Sequence, residues 1–222
     1  MTDDMRADLH WWRDFLPAWN GVSLIIGERR RIFLWTDASG TLGQGGVFSA
    51  VKPFDTRHIT WDQAFSKPLS RQHRQKDINY KEMNAVLVAL RLWGEHFANT
   101  QLVVHTDNSV VFQGLQRWTT RSPAISPLRE IALLPARQNI EIYPIWIPSH
   151  DNLLADLLSR RDFRKLAKNC PLLVQEHMTH PHLGTRISTY PALLPATSGG
   201  ASAPTPDEPM EQLAGATSHA VQ

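Results

Sequence analysis

The order of strand-like and helix-like segments in this sequence predicts an α/β fold on a mixed five-stranded sheet, three strands antiparallel and two parallel, with flanking helices. Two patterns carry that expectation. Three strand-like runs follow one another before any strong helical stripe, as in an antiparallel meander. Two later runs are each set apart by helical segments, and strands separated by helix add to a sheet in parallel through crossovers. The size agrees: 222 residues, 42% of them hydrophobic, supply the core of one ordinary domain with tails, or of two very small domains.

Taken in order, residues 8–16 (DLHWWRDFL) mix aromatic and charged positions as a short amphipathic helix does, closed by Pro17 and an Asn20-Gly21 turn. Residues 31–37 (RIFLWTD) are β-branched and aromatic and run into a glycine-rich turn. A second strand is expected from Gly45 to Val51, and a weaker third from Arg57 to Phe65, where Ile59 and Trp61 alternate with polar residues. Residues 66–78 are polar and basic without a period. Then Met83, Val86, Leu87, Leu90, Trp93 and Phe97 fall on one stripe of a strong helix, with Asn79 as its expected N-cap. Gln101 to Thr106 reads as a short buried strand and Asn108 to Trp118 as a helix. A further helix starts near Pro123 or Pro127 and ends near Gln138; residues 140–147 (IEIYPIWI) read as a strand and 151–160 as a last helix.

Composition narrows the class. A formal net charge of +2 is too small for a strongly electrostatic nucleic-acid binder, although basic residues cluster at Arg29-Arg30-Arg31 and at Arg71, His73, Arg74 and Lys76. The lone cysteine, Cys170, excludes a disulfide framework and a cysteine-based zinc site. No secretory signal and no apolar run of membrane-spanning length is visible, so an intracellular protein, not secreted and not membrane-bound, is expected.

Four acids stand where a purely structural role does not require them. Asp37 ends the first strand, on the side of Phe33 and Trp35, and Asp107 ends the fourth. Glu82 is in row with Val86 and Leu90, at the border of the buried stripe, and Asp156 lies inside the apolar stretch LLADLL. Each has a plain structural explanation. Asp37 serves as a turn aspartate, Asp107 as an N-cap, and Glu82 completes a capping box with Asn79. Asp156 is harder to place so, because a carboxylate among leucines is costly unless paired or metal-bound.

Jointly they say more. Ligands of open sheets gather beyond the carboxyl ends of strands. If the first and fourth strands are neighbours, Asp37 and Asp107 become adjacent, and packed helices can bring Glu82 and Asp156 to the same point. Like charges in so small a volume need a counter-charge, and a pair of hard, oxygen-seeking cations such as Mg²⁺ supplies it. Two such ions about 4 Å apart serve phosphoryl chemistry.

The stretches WTDASGTLGQGGVFSA, INYKEMNAVLVAL, VVHTDNSVVFQGL and WIPSHDNLLADLLSR, in that order, resemble the successive motifs of retroelement ribonuclease H domains, with DIRS-like and Ty3-like reverse transcriptases the nearest likeness. The segment ADLHWWRDFLPAWNGVSLI resembles the piece that joins polymerase to ribonuclease H, and the likeness spans residues 5–162. It implies a ribonuclease H-like fold over residues 27–165, with an N-terminal helix and tether over 1–26 and a C-terminal extension over 166–222; composition predicts disorder in that extension from about 186, since residues 197–222 hold almost no large apolar side chain. The likeness further implies endonucleolytic cleavage of RNA in a hybrid with DNA. Asp37, Glu82, Asp107 and Asp156 would bind two Mg²⁺ ions, for which Mn²⁺ can substitute. Asp37 would bridge both, Glu82 and Asp107 hold the one on the leaving-group side, and Asp156 the one near the attacking water.

Gly43, Gly45 and Gly46 would let backbone approach the hybrid closely, and Ser39 and Asn108 would contact it, unless Ser39 is only a turn residue and Asn108 only a helix start. Trp35 and Trp61 read as packing residues. Three features depart from the family. His150 lies closer to Asp156 than the mobile histidine of bacterial and retroviral ribonucleases H lies to its acid, and reads as an exposed helix-start residue. No basic handle helix stands between Trp118 and Pro123, and the Arg71–Lys76 stretch is an alternative source of phosphate contacts. The Tyr-x-Asp-Asp hallmark of a polymerase is missing, so a polymerase partner would be a separate domain. The rival expectation is a catalytically inactive nucleic-acid-binding or scaffold remnant; a 3′–5′ exonuclease or an integrase on the same fold fits the spacing less well.

Overall fold

The computed structural model describes residues 1–18, 29–52, 55–121 and 123–174. The Asn20-Gly21 turn, the tether to residue 26 and the tail beyond 186 lie outside the described residues. Five strands, β1 (Arg31–Ala38), β2 (Gly43–Ser49), β3 (Ala64–Pro68), β4 (Gln101–Thr106) and β5 (Glu141–Trp146), form one sheet in the order β3-β2-β1-β4-β5. The β1–β2 and β2–β3 pairs are antiparallel, and β1–β4 and β4–β5 parallel. This is the mixed sheet expected from the order of elements.

The pleat of β1 sorts its side chains to two faces. Ile32 and Leu34, with Leu102 and Val104 of β4, join a core built against α3 (Ile78–Trp93) and α5 (Ile125–Gln138). Trp35, with Val47 of β2, packs into a second core against α6 (Leu153–Arg160) and α7 (Phe163–Asn169). The remaining helices are α1 (Asp3–Phe15), α2 (Arg71–Arg74) and α4 (Ser109–Arg117). Among the described residues, no helix is long and apolar enough to cross a membrane. Buried residues run continuously from Lys81 to Leu90 of α3, because this helix lies between the sheet and α5.

Several local expectations are corrected. The third strand is not residues 57–65: Thr56–His58 and Trp61–Gln63 are 3-10 turns, and pairing begins at Ala64. Asp55 caps the first turn, and Thr60 with Gln63 forms a capping box on the second, so local hydrogen bonds outcompete the ladder. Ile59 and Trp61 are buried nonetheless, as plugs in the second core. The N-cap of α3 is Asp77, whose side chain accepts from the Tyr80 N–H; Asn79 is already helical and accepts instead from the Asn108 side chain. The short helix α2 and the helix α7 occupy stretches without a readable period, and α7 is there for Leu166, which is wholly buried.

Candidate metal centre

β1 and β4 run side by side with Trp35 opposite His105, so the next same-face positions on the two chains are Asp37 and Asp107. Both leave the sheet at its carboxyl end. Glu82 arrives from the other layer: it sits in the second turn of α3 and accepts a hydrogen bond from the Ala38 N–H at the end of β1. One carboxylate oxygen each of Asp37, Glu82 and Asp107 lie within 4.8 Å of one another. Asp37 and Glu82 are buried, and Asp107 is half-buried.

Burial is costly for these charges, and they also repel one another. Burial pushes the Asp37 carboxyl up to about 6; the Ser159 hydroxyl opposes that, while the charges of Asp156 and Asp107 add to it. Burial, with Asp37 and Asp107 behind it, raises Glu82 well above the usual carboxylate range. Arg160 offsets only part of the excess, since its guanidinium pairs with Asp156 at 2.6 Å. The donor set is therefore three hard carboxylate oxygens with surplus negative charge, which fits a divalent cation of the Mg²⁺ type.

Asp156 is not among the three clustered carboxylates. It borders them from α6, close enough for its charge to raise both Asp37 and Glu82, with its own carboxylate turned to Arg160. Ser39 is buried in the β1–β2 turn, where its Oγ accepts from the Leu42 and Gly43 N–H groups at 2.7 and 2.8 Å. Asn108 caps α4, accepting from the Val110 and Val111 N–H groups, and its amide also donates to Asn79 at 3.1 Å. His150 is exposed and lies beside Asp151, as expected for a helix-start residue.

The glycines have a reason other than approach of a ligand. A Cβ on Gly45 would meet the Ser159 nitrogen at 2.5 Å, and one on Gly43 the Ser159 carbonyl at 2.8 Å; one on Gly46 would strike the Phe65 ring. Helix α6 thus lies directly on the backbone of β2.

Two polar residues of the site escape a reading of acids alone. Ser159, fully buried, donates its hydroxyl to Asp37 Oδ2. Asn152 donates its amide to the Thr36 carbonyl at 3.0 Å and to Asp107 Oδ1 at 3.3 Å. The signal for both was present: Asn152, Asp156 and Ser159 follow one another at helical spacing in a segment otherwise made of leucine and alanine. Gln44, Lys81 and Asn84 form a further buried network, in which Gln44 donates to the Lys81 carbonyl and accepts from Asn84.

A three-stranded meander continued by two parallel strands is a ribonuclease H-like α/β fold, and it sets the clustered carboxylates at the carboxyl ends of β1 and β4. Among solved structures, the chain is similar to the N-terminal ribonuclease H domain of a Mycobacterium tuberculosis protein, solved as a fusion with maltose-binding protein. The identity is 20%, over 58% of this chain and 95% of that one, with a TM-score of 0.45. It is also similar to ribonuclease H1 of the archaeon Halobacterium salinarum, at 17% identity over 61% and 98% of the two chains, TM-score 0.44. A third is the foamy viral protease–reverse transcriptase in complex with RNA/DNA hybrid, at 15% identity over 72% of this chain and 22% of that one, TM-score 0.39. No protein-family model and no curated protein matches the sequence.

Proposed function

We propose that this protein is a metal-dependent endonuclease that hydrolyses the RNA strand of RNA–DNA hybrids, as the ribonuclease H part of a retroelement reverse transcriptase. One observation carries the reading: Asp37, Glu82 and Asp107, remote in sequence, bring carboxylate oxygens within 4.8 Å of one another at the carboxyl end of the central strands. The raised pKa values of Asp37 and Glu82 have the sign expected of a site that lacks positive charge.

Asp37 would serve both ions, Glu82 and Asp107 one of them, and Asp156 the other once it exchanges its pairing with Arg160. When bound, a pair of Mg²⁺ ions, for which Mn²⁺ can substitute, neutralises the attacked phosphate and makes a water more acidic. The protein's own part is to hold four carboxylates in register and to present the hybrid. Asn108, next to Asp107 in the chain, would meet a 2′-hydroxyl, the group by which RNA is told from DNA. Ser39 and Gly43 act through the turn they shape, which the Lys81 ammonium ties down by donating to the Gly40 carbonyl at 2.6 Å.

The test uses the purified chain with a labelled hybrid, duplex DNA and single-stranded DNA, each with and without Mg²⁺. Mg²⁺-dependent cutting of RNA in the hybrid alone is expected, and Asp37→Asn and Asp107→Asn should each remove it. Tight hybrid binding without cleavage would instead support a scaffold, and trimming of single-stranded DNA from its ends an exonuclease.

A further inference from the structure

We infer that Asn152 and Ser159 are positioning residues, which hold the carboxylates of Asp107 and Asp37 from opposite ends of α6 in the orientation that receives the cations. The inference rests on the metal-centre reading above. Both residues are almost wholly buried, at 1% and 0% exposure: Asn152 is the N-cap of α6, and Ser159 lies within that helix, whose other buried positions are leucine and alanine. Seven residues apart, they fall on one face, with Asp156 between them.

Asn152 spans two strands. Its NH₂ group reaches the Thr36 carbonyl on β1 and Asp107 Oδ1 at the end of β4, and only the donor end of an amide can serve two acceptors. The consequence is that Asn152 Oδ1 is buried with no partner among the described residues. Native interiors seldom keep such an atom without a reason. An apolar side chain of similar volume would fill the same space without it, so the donor pair is what the position requires.

Ser159 acts at the other ligand. Its hydroxyl has one proton and two acceptors in reach, Asp37 Oδ2 and, at 2.9 Å, the Asp156 carbonyl. The charged acceptor takes it. That bond exists only because α6 lies on the glycine backbone of β2, close enough for a short side chain to reach β1. With Oδ2 engaged, the Asp37 carboxylate loses its freedom to rotate and meets a cation already oriented. Partners of this kind behind metal ligands typically carry 10–100-fold in metal affinity.

Mn²⁺ titration of the full chain by calorimetry, with melting curves in chelator, tests this without recourse to turnover. Ser159→Ala removes a single oxygen, and Asn152→Leu keeps the branch at Cγ while removing both polar atoms. Each is expected to weaken Mn²⁺ binding about tenfold or more, beyond any change in the melting of the metal-free protein. Lowered melting with the parent's Mn²⁺ affinity would make both residues merely structural and overturn the inference, as would parental behaviour in both measurements. Should Asn152→Leu fail to fold, Ser159→Ala decides alone. A parent that binds no Mn²⁺ refutes the metal centre itself and the positioning role with it, whereas binding by the parent and equal binding by the variants refutes only the latter.

Discussion

Asp37 carries a charge that the metal-free fold tolerates poorly, and the sign of its shift makes that testable. Its carboxyl is raised by burial to about 6 from an ordinary 3.8, so the folded chain holds this proton more tightly than the unfolded one. The associated stability is present below the ordinary value and lost as pH rises through 6. Asp37→Asn should therefore stabilise the chelator-treated protein at pH 7 by up to roughly 3 kcal/mol, with the gain fading near pH 4. Urea unfolding at the two pH values measures it, and an equal effect at both would show that the folded chain holds the Asp37 proton no more tightly than the unfolded one. Adding Mg²⁺ should reverse the order, since the parent gains the free energy of binding and the variant does not. Cys170 is the contrasting case. Burial pushes its thiol up to about 11 and leaves it with no exposed surface. At pH 8 the native protein should resist iodoacetamide, whereas the urea-unfolded chain is modified, as intact mass will report.

Helices α6 and α1 depend on their neighbours to very different degrees. Gly45→Ala drives a Cβ into the backbone of α6 and should cost about 1–3 kcal/mol or more and weaken Mn²⁺ binding by displacing Ser159. Gly40→Ala, with nothing within 4 Å, should be silent in melting and binding alike. By contrast α1 buries no residue and is held to α5 by the Trp11 indole donating to the Arg129 carbonyl and by Arg129 pairing with Asp4 and Asp8. Such exposed pairs are worth about 0–1 kcal/mol. Arg129→Ala should raise amide exchange over Asp3–Phe15 in hydrogen-exchange mass spectrometry while leaving the melting temperature of the body nearly unchanged. Elements with a strong apolar signal were readable in the sequence, α3 by its helical stripe and β4 by its continuously buried run. The third strand was misplaced because Ile59 and Trp61 owe their alternation to plugging a core, not to pairing. Helix α7 was missed because it buries Leu166 alone, and Cys170 and Leu173, buried just beyond it, add too few positions to make a pattern.

Over the whole molecule, those same residues close the second core with Ile59, Trp61, Val47 and the leucines of α6. Ending the chain after Asp162 should remove on the order of 5 kcal/mol of apolar burial, comparable to the entire stability of many domains, and a truncated chain that melts with the parent would contradict it. Period and turn chemistry are properties of neighbours in the chain, which is why the sequence alone determined the order of strands and helices, the mixed sheet, and the placing of Asp37 and Asp107 at strand ends. Which carboxylates touch depends on strand order, register and the height at which α6 rides on β2, none of which local spacing contains. Only the tertiary structure could decide that Asp37, Glu82 and Asp107 close together while Asp156 turns to Arg160. It likewise gave Asn152 and Ser159 their partners, because a hydrogen bond between residues 122 positions apart, as from Ser159 to Asp37, is an outcome of packing.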